Sequence, residues 1–376
     1  MKKPNGSLIS YFSQLAEKKG GINLAQGIPG FSPPSKLIDI LNKVIYESPK
    51  NHQYPNGNGE PELVECISHY YSPYQKITSE NILITQGATE AVSLVFLYFT
   101  DNGEKNFSVL SFDPPYESYP ALCDLHHLPF HYFDYNDDLT VDFSRLEKVI
   151  RENEVKLAIV TSPGNPLGKI WTKEELTRLD HLSKKHECYL LFDGVYKDLY
   201  FDTPPFLPLE LENERLIYVD SFSKTLSITG WRIGYIIAEE SIMEKLKGIH
   251  DFTGLCAPSV LQKAITRYLK EYNFGEEYSK DLRETLNHSF TLFTRKLKTT
   301  PLQIPEIKGG YFLWAGLPDS CPDGFSFAQD LFDKTKVAVV PGENFSPYKK
   351  NYVRLNFVQK LEIIEEAGER IANFGF

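Results

Sequence analysis

Tyr218-Val219-Asp220-Ser221-Phe222-Ser223-Lys224-Thr225-Leu226-Ser227-Ile228-Thr229-Gly230-Trp231-Arg232-Ile233-Gly234-Tyr235 is the stretch on which the reading of this chain turns. A short apolar run, Leu216 to Val219, ends in a loop that carries Lys224. Ser221 and Ser223 precede the lysine, and Gly230 and Arg232 follow it. The lysine sits on no evident solvated helix face. Burial and a neighbouring cation both disfavour an ammonium, and a neutral lysine amine can form a Schiff base with a carbonyl. Ser221 and Arg232 would suit a phosphate close by. An ordinary surface lysine in a Ser/Thr loop explains the same residues, and this stretch alone does not separate the two.

Outward from it, the chain alternates. Apolar runs at Ile82–Thr85, Phe107–Phe112, Leu157–Thr161, Tyr189–Phe192 and Leu216–Val219 read as strands. Helical patterns at 88–100, 116–125, 143–152 and 173–186 lie between most of them. Strands alternating with helices, and rich in Val, Ile and Leu without polar alternation, predict an α/β fold with a mostly parallel sheet covered on both faces. Before it come a short amphipathic arm, a Gly/Pro loop at Asn23–Gly30, a helix at Ser35–Ser48, a loop at Tyr54–Gly59 and a second helix opened by Glu60. After Gly234 a strand runs to Ala238, followed by one long helical pattern at 240–271 and another at 274–298. The last hundred residues change character: strands at Tyr311–Trp314, Val337–Val340 and Tyr352–Phe357, helices at 325–335 and 359–374. They predict a smaller α+β domain. The expected division is 1–40 for the arm and part of the small domain, 41–277 for a large domain and 278–376 for the small one.

In parallel sheets, ligands bind beyond the carboxyl ends of the strands. Five such ends carry polar groups: Gln86-Gly87-Ala88-Thr89-Glu90, Asp113-Pro114-Pro115-Tyr116, Ser162-Pro163-Gly164-Asn165-Pro166, Asp193-Gly194-Val195-Tyr196 and the Lys224 loop. Each suits one part of pyridoxal 5′-phosphate. Gly87, Ala88 and Thr89 offer backbone N–H groups at a helix N-terminus, where an anion is favoured, and Ser221 and Arg232 add donors. Asp193 would hold the pyridine nitrogen protonated, making the ring an electron sink. Asn165 and Tyr196 would both reach the ring hydroxyl, and Tyr116 would stack on the ring. Singly, each has a plainer explanation: Asp113 and Asp193 as helix caps, Asn165-Pro166 as a turn, Tyr116 as core. Five plain coincidences at five strand ends are much harder to accept.

These motifs resemble the class I/II aminotransferases of fold type I, which use pyridoxal phosphate. The resemblance is carried by Gly87-Ala88-Thr89-Glu90-Ala91, Asp113-Pro114-Pro115-Tyr116-Glu117-Ser118-Tyr119, Pro163-Gly164-Asn165-Pro166-Leu167-Gly168, Asp193-Gly194-Val195-Tyr196, Ser221-Phe222-Ser223-Lys224-Thr225 and Gly230-Trp231-Arg232-Ile233-Gly234. Further matches are Gly309-Gly310-Tyr311-Phe312, Pro341-Gly342-Glu343-Asn344-Phe345 and Arg354-Leu355-Asn356-Phe357. Together they span residues 23–357 in the family's order, most like the kynurenine, methionine and aspartate aminotransferase subgroup.

The resemblance implies a homodimeric transaminase that moves the amino group of an L-amino acid to a 2-oxo acid such as 2-oxoglutarate. It implies Lys224, Asp193 and Tyr196 as the catalytic set, with Ser223 beside the cofactor and Tyr54 reaching the partner subunit's cofactor phosphate. Arg354 would bind the substrate α-carboxylate, with Gly27 and Asn165 alongside. The residues agree locally: Tyr352, Arg354 and Asn356 alternate with Val353, Leu355 and Phe357, so the arginine leaves the apolar side of its strand. A planar guanidinium grips a carboxylate with two hydrogen bonds. Two motifs depart from the family's pattern. Its usual Asp-Glu-Val-Tyr has Gly194 in second place, and its usual Asn-Pro is Ser162-Pro163.

Composition narrows the alternatives. Of 376 residues, 41% are hydrophobic and 24% charged, with a net charge of −10 and no basic block, which argues against a nucleic-acid partner. The longest apolar stretches, such as 91–99, are too short to cross a bilayer. The N-terminal residues carry no apolar h-region. Five scattered cysteines, Cys66, Cys123, Cys188, Cys256 and Cys321, suit free thiols in a reducing cytoplasm. The nearest rival is a carbon–sulfur β-lyase on the same scaffold, because both reactions begin with the same proton abstraction. A binding-only regulator on this fold would need a DNA-binding region, and the sequence has no basic helix-turn-helix. Cys123, His126, His127 and His131 fit no standard zinc spacing. Tyr116, Tyr119 and Phe345 suggest an aromatic or thioether side chain on the substrate over an acidic one.

Overall fold

The computed structural model describes residues 4, 6–101, 107–321 and 323–376. Strand β1 (Ile22–Asn23) follows the arm, which forms a helix, Leu8–Lys19, capped by the Ser7 side chain. The seven strands of the main sheet come next: β2 (Ile82–Thr85), β3 (Ser108–Asp113), β4 (Phe130–Asp134), β5 (Val155–Thr161), β6 (Tyr189–Asp193), β7 (Leu216–Ser221) and β8 (Gly234–Ile237). Their order is β2-β8-β7-β6-β5-β3-β4. Only β8 runs against the others, pairing antiparallel with β2 and β7. The carboxyl ends of β2, β3, β5, β6 and β7 therefore open on one side of the sheet.

The apolar runs work as the sequence suggests, because successive side chains point to opposite faces and both faces are covered. Ile82, Ile84, Leu110, Phe112, Ala158, Val160, Leu190 and Phe192 join one buried cluster. Leu83, Val109, Leu157, Ile159, Leu191, Ile217 and Val219 join the other, beneath the helices Ala88–Asp101 and Glu240–Thr253. A third cluster draws Leu8, Phe12 and Ala16 of the arm together with residues 282–371. It surrounds β9 (Phe312–Gly316), β10 (Val337–Ala338), β11 (Val340–Pro341) and β12 (Tyr352–Asn356).

Three readings of the pattern need correction. The helix expected over 240–271 is two, Glu240–Thr253 and Ser259–Glu271. Pro258 pushes its predecessor out of the helical region and Leu255 takes a positive φ of 62°, so the chain turns between them. The strand expected at Val337–Val340 is split. Val337 and Ala338 pair with Ile22 and Asn23, while Val340 and Pro341 pair with Arg354 and Val353. All four residues from Val337 to Val340 are buried, so the run stays apolar while the pairing partner changes. Strand β4 is absent from the sequence reading. It is the sheet edge, and its Phe130, His131 and Tyr132 are only half-buried, which removes the strong apolar signal.

Candidate active site

Gly87 follows β2 and starts the helix Ala88–Asp101. Its φ is +82°, and a Cβ there would lie 2.4 Å from Nη2 of Arg232, so both the turn and the guanidinium require glycine. Arg232 donates from Nη1 to the Thr229 carbonyl at 2.9 Å and from Nη2 to the Gln86 carbonyl at 3.2 Å. In the first helical turn the backbone N–H groups of Ala88 and Thr89 have no acceptor within the helix, and the helix dipole adds positive potential. Ser221 ends β7 and caps the short turn Phe222–Thr225. Its Oγ accepts from the Ser223 N–H at 3.0 Å and donates to Ser223 Oγ at 2.8 Å. Ala88, Thr89, Ser221, Ser223 and Arg232 line one cavity of about 410 Å³, with Gly87 directly behind Arg232.

The same cavity is lined by Asp193, Tyr196, Asn165, Tyr116, Gly27, Lys224 and Arg354. Asp193 ends β6 and is buried. Burial pushes its carboxyl up to about 6, although the Tyr119 hydroxyl donates to Oδ2 at 2.7 Å and the Val195 N–H to Oδ1 at 3.2 Å. Lys224 has the opposite shift. Burial, then the Arg354 and Arg232 guanidiniums, pull its amine down to about 7 against the pull of Asp193. Its Nζ donates to the Gly27 carbonyl, and Tyr311 Oη donates to its backbone carbonyl at 3.0 Å. Gly194 follows Asp193, and a Cβ on it would lie 2.4 Å from the Tyr218 hydroxyl. A side chain here, as in the family's Asp-Glu pattern, would need the space that the Tyr218 ring occupies on the neighbouring strand.

Arg354 is 1% exposed on β12, so it does not face solvent. Its Nη1 donates to Asn165 Oδ1 at 2.9 Å and its Nη2 to the Ala25 carbonyl at 2.5 Å. Its Cζ lies 4.0 Å from the Phe312 ring centre and 4.9 Å from that of Phe345. Burial draws the guanidinium down to about 10, with Tyr196 opposing, so it stays charged at neutral pH. Two residues from Arg354 on the same strand, Asn356 Nδ2 donates to the Gln26 and Ile28 carbonyls at 2.7 and 3.0 Å, and so holds the Asn23–Gly30 loop against the site.

Twelve positions named from sequence thus converge on one cavity wall, with Gly87 just behind. Tyr54 is not among them: it is 83% exposed and stands outside the cavity of its own chain. Of the aromatics expected at the substrate side chain, Tyr116 and Tyr119 line the cavity, and the Tyr119 hydroxyl also serves Asp193. Phe345, 1% exposed, instead packs on Arg354 and on Trp314. Ile9, Gln26, Ile28, Glu117, Thr229 and Phe312 also line the cavity and carried no signal of their own. Ile9 is visible only as part of an amphipathic arm, and Phe312 only as one residue of an apolar run and of the Gly309–Phe312 match, with no role attached.

The family model described as aminotransferase class I and II matches residues 19–371. A probable aspartate aminotransferase of Methanocaldococcus jannaschii is 28% identical over 354 residues, covering 92% of this chain and 91% of that protein. Aromatic-amino-acid aminotransferase 2 of Thermococcus litoralis is 26% identical, covering 98% and 95%. Among solved structures, aspartate aminotransferase from Thermus thermophilus with maleate superposes with a TM-score of 0.91 at 23% identity, over 99% of this chain and 97% of that one. At that identity the likeness speaks for the fold. The breadth of the family match settles membership: the chain belongs to the class I and II aminotransferases. It is a transaminase.

Proposed function

We propose that this transaminase works with pyridoxal 5′-phosphate and moves the amino group of an L-amino acid, aromatic, thioether or of broad range, to a 2-oxo acid. The residues fit that cofactor. A glycine cradle too tight for any Cβ and a guanidinium behind it suit the phosphate. A buried carboxylate in the cavity wall suits a protonated ring nitrogen, and a lysine amine with a depressed pKa suits attack on an aldehyde. When bound, the cofactor supplies an electron sink next to the substrate Cα.

In this reading Gly87, Ala88, Thr89, Ser221, Ser223 and Arg232 would hold the phosphate. Tyr116 would stack on the ring, and Asn165 and Tyr196 would reach its hydroxyl. Asp193 would keep the ring nitrogen charged. Arg354, with Asn165 and Gly27 beside it, orients the substrate by its α-carboxylate, which places the Cα hydrogen toward Lys224. Lys224 Nζ takes that proton as general base and, once protonated, gives it back as general acid. An amine near 7 is suited to both roles at neutral pH, since each form is well populated. The observation that carries the proposal is the pairing of a depressed lysine with two guanidiniums and a buried carboxylate on one wall.

We further propose that the protein works as a homodimer in which Tyr54 serves the partner's site. The exposure of Tyr54 (83%), Phe252 (94%) and Leu255 (48%) supports a covered face there. We also propose a division of the chain near residue 277, which the apolar clusters support; at the N-terminal end they favour a break between Ala25 and Leu37 over one at residue 40, since Leu37 and Ile40 pack with the large sheet. Five free cysteines support a reducing cytoplasmic location, and no helix among the described residues is long and apolar enough to cross a membrane.

An absorbance titration of the purified protein with the cofactor tests the reading. A visible band should form, convert to a near-ultraviolet band on adding amino acids, and return on adding a 2-oxo acid. Release of pyruvate and ammonia from a cysteine conjugate without any acceptor would point to the β-lyase. A protein that takes up no cofactor would overturn the assignment.

A further inference from the structure

Resting on the transaminase reading above, we propose that Glu117 is a specificity-determining residue that keeps acidic side chains out of the substrate pocket, in amino donor and oxo-acid acceptor alike. Three cations line the cavity, Lys224, Arg232 and Arg354. Each is committed: Arg232 stands against Gly87, Lys224 is the reacting amine, and Arg354 is the clamp for the α-carboxylate. Ile9, Ile28, Tyr116 and Glu117 line the same cavity, with Glu117 close enough to Arg354 for their charges to interact. These four offer apolar surface and one negative charge.

That charge is held in place. Ser7 Oγ donates to both oxygens of Glu117 at 3.0 and 2.9 Å, and Asn344 Nδ2 donates to Oε2 at 2.7 Å. Asn344 Oδ1 in turn accepts from the Leu8 N–H at 2.8 Å, so the clasp also fixes Ile9 of the arm in the wall. All of these donors are neutral. Glu117 forms no salt bridge among the described residues, and its charge is close enough to Arg354 to help keep that guanidinium protonated. A substrate gripped by Arg354 extends its side chain past this fixed carboxylate, which has no ion pair among the described residues. A second carboxylate on that side chain would find no uncommitted cation in the wall this chain supplies and would be repelled. In a partly enclosed site the repulsion is worth on the order of tenfold in relative reactivity. The same pocket serves both half-reactions, so a monocarboxylic oxo acid such as pyruvate is preferred over 2-oxoglutarate.

The test compares kcat/KM of the holoenzyme for L-aspartate, L-glutamate, L-methionine and L-phenylalanine, and for pyruvate and 2-oxoglutarate as acceptors. The acidic compounds should fall at least about tenfold below the neutral ones. Glu117→Gln should narrow that gap about tenfold, and Glu117→Asp, which keeps the charge, should preserve it. A loss of the clasp alone would lower every substrate together and leave the ratio where it was, which would overturn the proposal. Wild-type enzyme that uses aspartate as readily as methionine would overturn it too. Should the variants fail to fold, added salt gives a second readout on the wild type: it should raise the acidic-to-neutral ratio, and an unchanged ratio counts against Glu117. Transfer from no donor of any class would instead sink the transaminase reading itself, and this proposal with it.

Discussion

Lys197 and Lys224 stand after neighbouring strands, β6 and β7, and both are removed from water, yet they are opposite in character. Burial works against the charge on each. At Lys197 the carboxylates of Asp198 and Asp220 overrule burial and lift the amine well above its ordinary value. Its Nζ pairs with Asp198, and lies 3.4 Å from Asp220 Oδ2, which also accepts from Tyr235 Oη at 2.7 Å and Tyr71 Oη at 3.1 Å. At Lys224 burial is reinforced by two guanidiniums, and the amine falls to about 7. One lysine is held as a cation and the other is poised to lose its proton, as the proposed role of a base requires. The difference lies in the sign of the neighbours, not in the residue or the depth.

The largest effect should come from removing the base. Lys224→Ala should lower turnover at least about thousandfold, measured as kcat with the cofactor bound; normal turnover would show that another group moves the proton. Lys197→Met should leave Asp198 and Asp220 buried without their cation and cost about 3–5 kcal/mol of stability in urea unfolding. Without cofactor, Lys224→Met should do the reverse. The folded-state pKa of Lys224 lies below its unfolded value, so the folded protein binds fewer protons between about pH 7 and pH 10.5 and stability rises across that window. At pH 6 the wild-type apoprotein bears the full cost, and the variant should be more stable by about 3 kcal/mol, allowing for water in the cavity. Thermal melts at pH 6 and pH 10 would show whether the gain vanishes as expected.

The smallest effect concerns Asp193. Its carboxyl is raised to about 6, so below that pH it is protonated and can no longer neutralise a charged ring nitrogen. Cofactor affinity should weaken as pH falls through this range. Tyr119→Phe removes a donor that favours the carboxylate and should move the midpoint upward by up to about one pH unit. A cofactor titration across pH 5–8 that gives the same midpoint for both proteins would show that the tyrosine only packs.

The fold and most of the site were legible because they rest on local order. A covered parallel sheet writes long apolar runs, and its ligand groups must follow those runs at once, as Gly87, Asn165, Asp193 and Lys224 do. What escaped depends on contacts across long sequence separation. Tyr119 meets Asp193 from 74 residues away, and Ser7 meets Glu117 from 110. No spacing rule links such pairs, so Tyr119 reads as a pocket aromatic and Glu117 as the residue after a tyrosine. Gly194 reads as a lost carboxylate until Tyr218 is seen in the space a side chain would need. The two-residue pairing of β1 with β10 is too short to leave any periodic trace.

That pairing belongs to a seam with a consequence for biosynthesis. Ile22 and Leu24 donate to the carbonyls of Lys336 and Ala338 at 2.8 and 2.9 Å, Gly30 donates to Val358 at 2.8 Å, and Asn356 donates to Leu24 at 2.8 Å. Residues 22–30 leave the ribosome early, but their backbone partners emerge more than three hundred residues later. The large sheet has all its strands by Ile237 and can form while the polypeptide is still growing. The corner proposed to bind the substrate carboxylate, with Arg354 against Ala25, cannot. During synthesis residues 22–30 must stay unpaired, and a chain that stops short of Arg354 has Lys224 in its sheet but lacks the guanidinium proposed to hold the substrate.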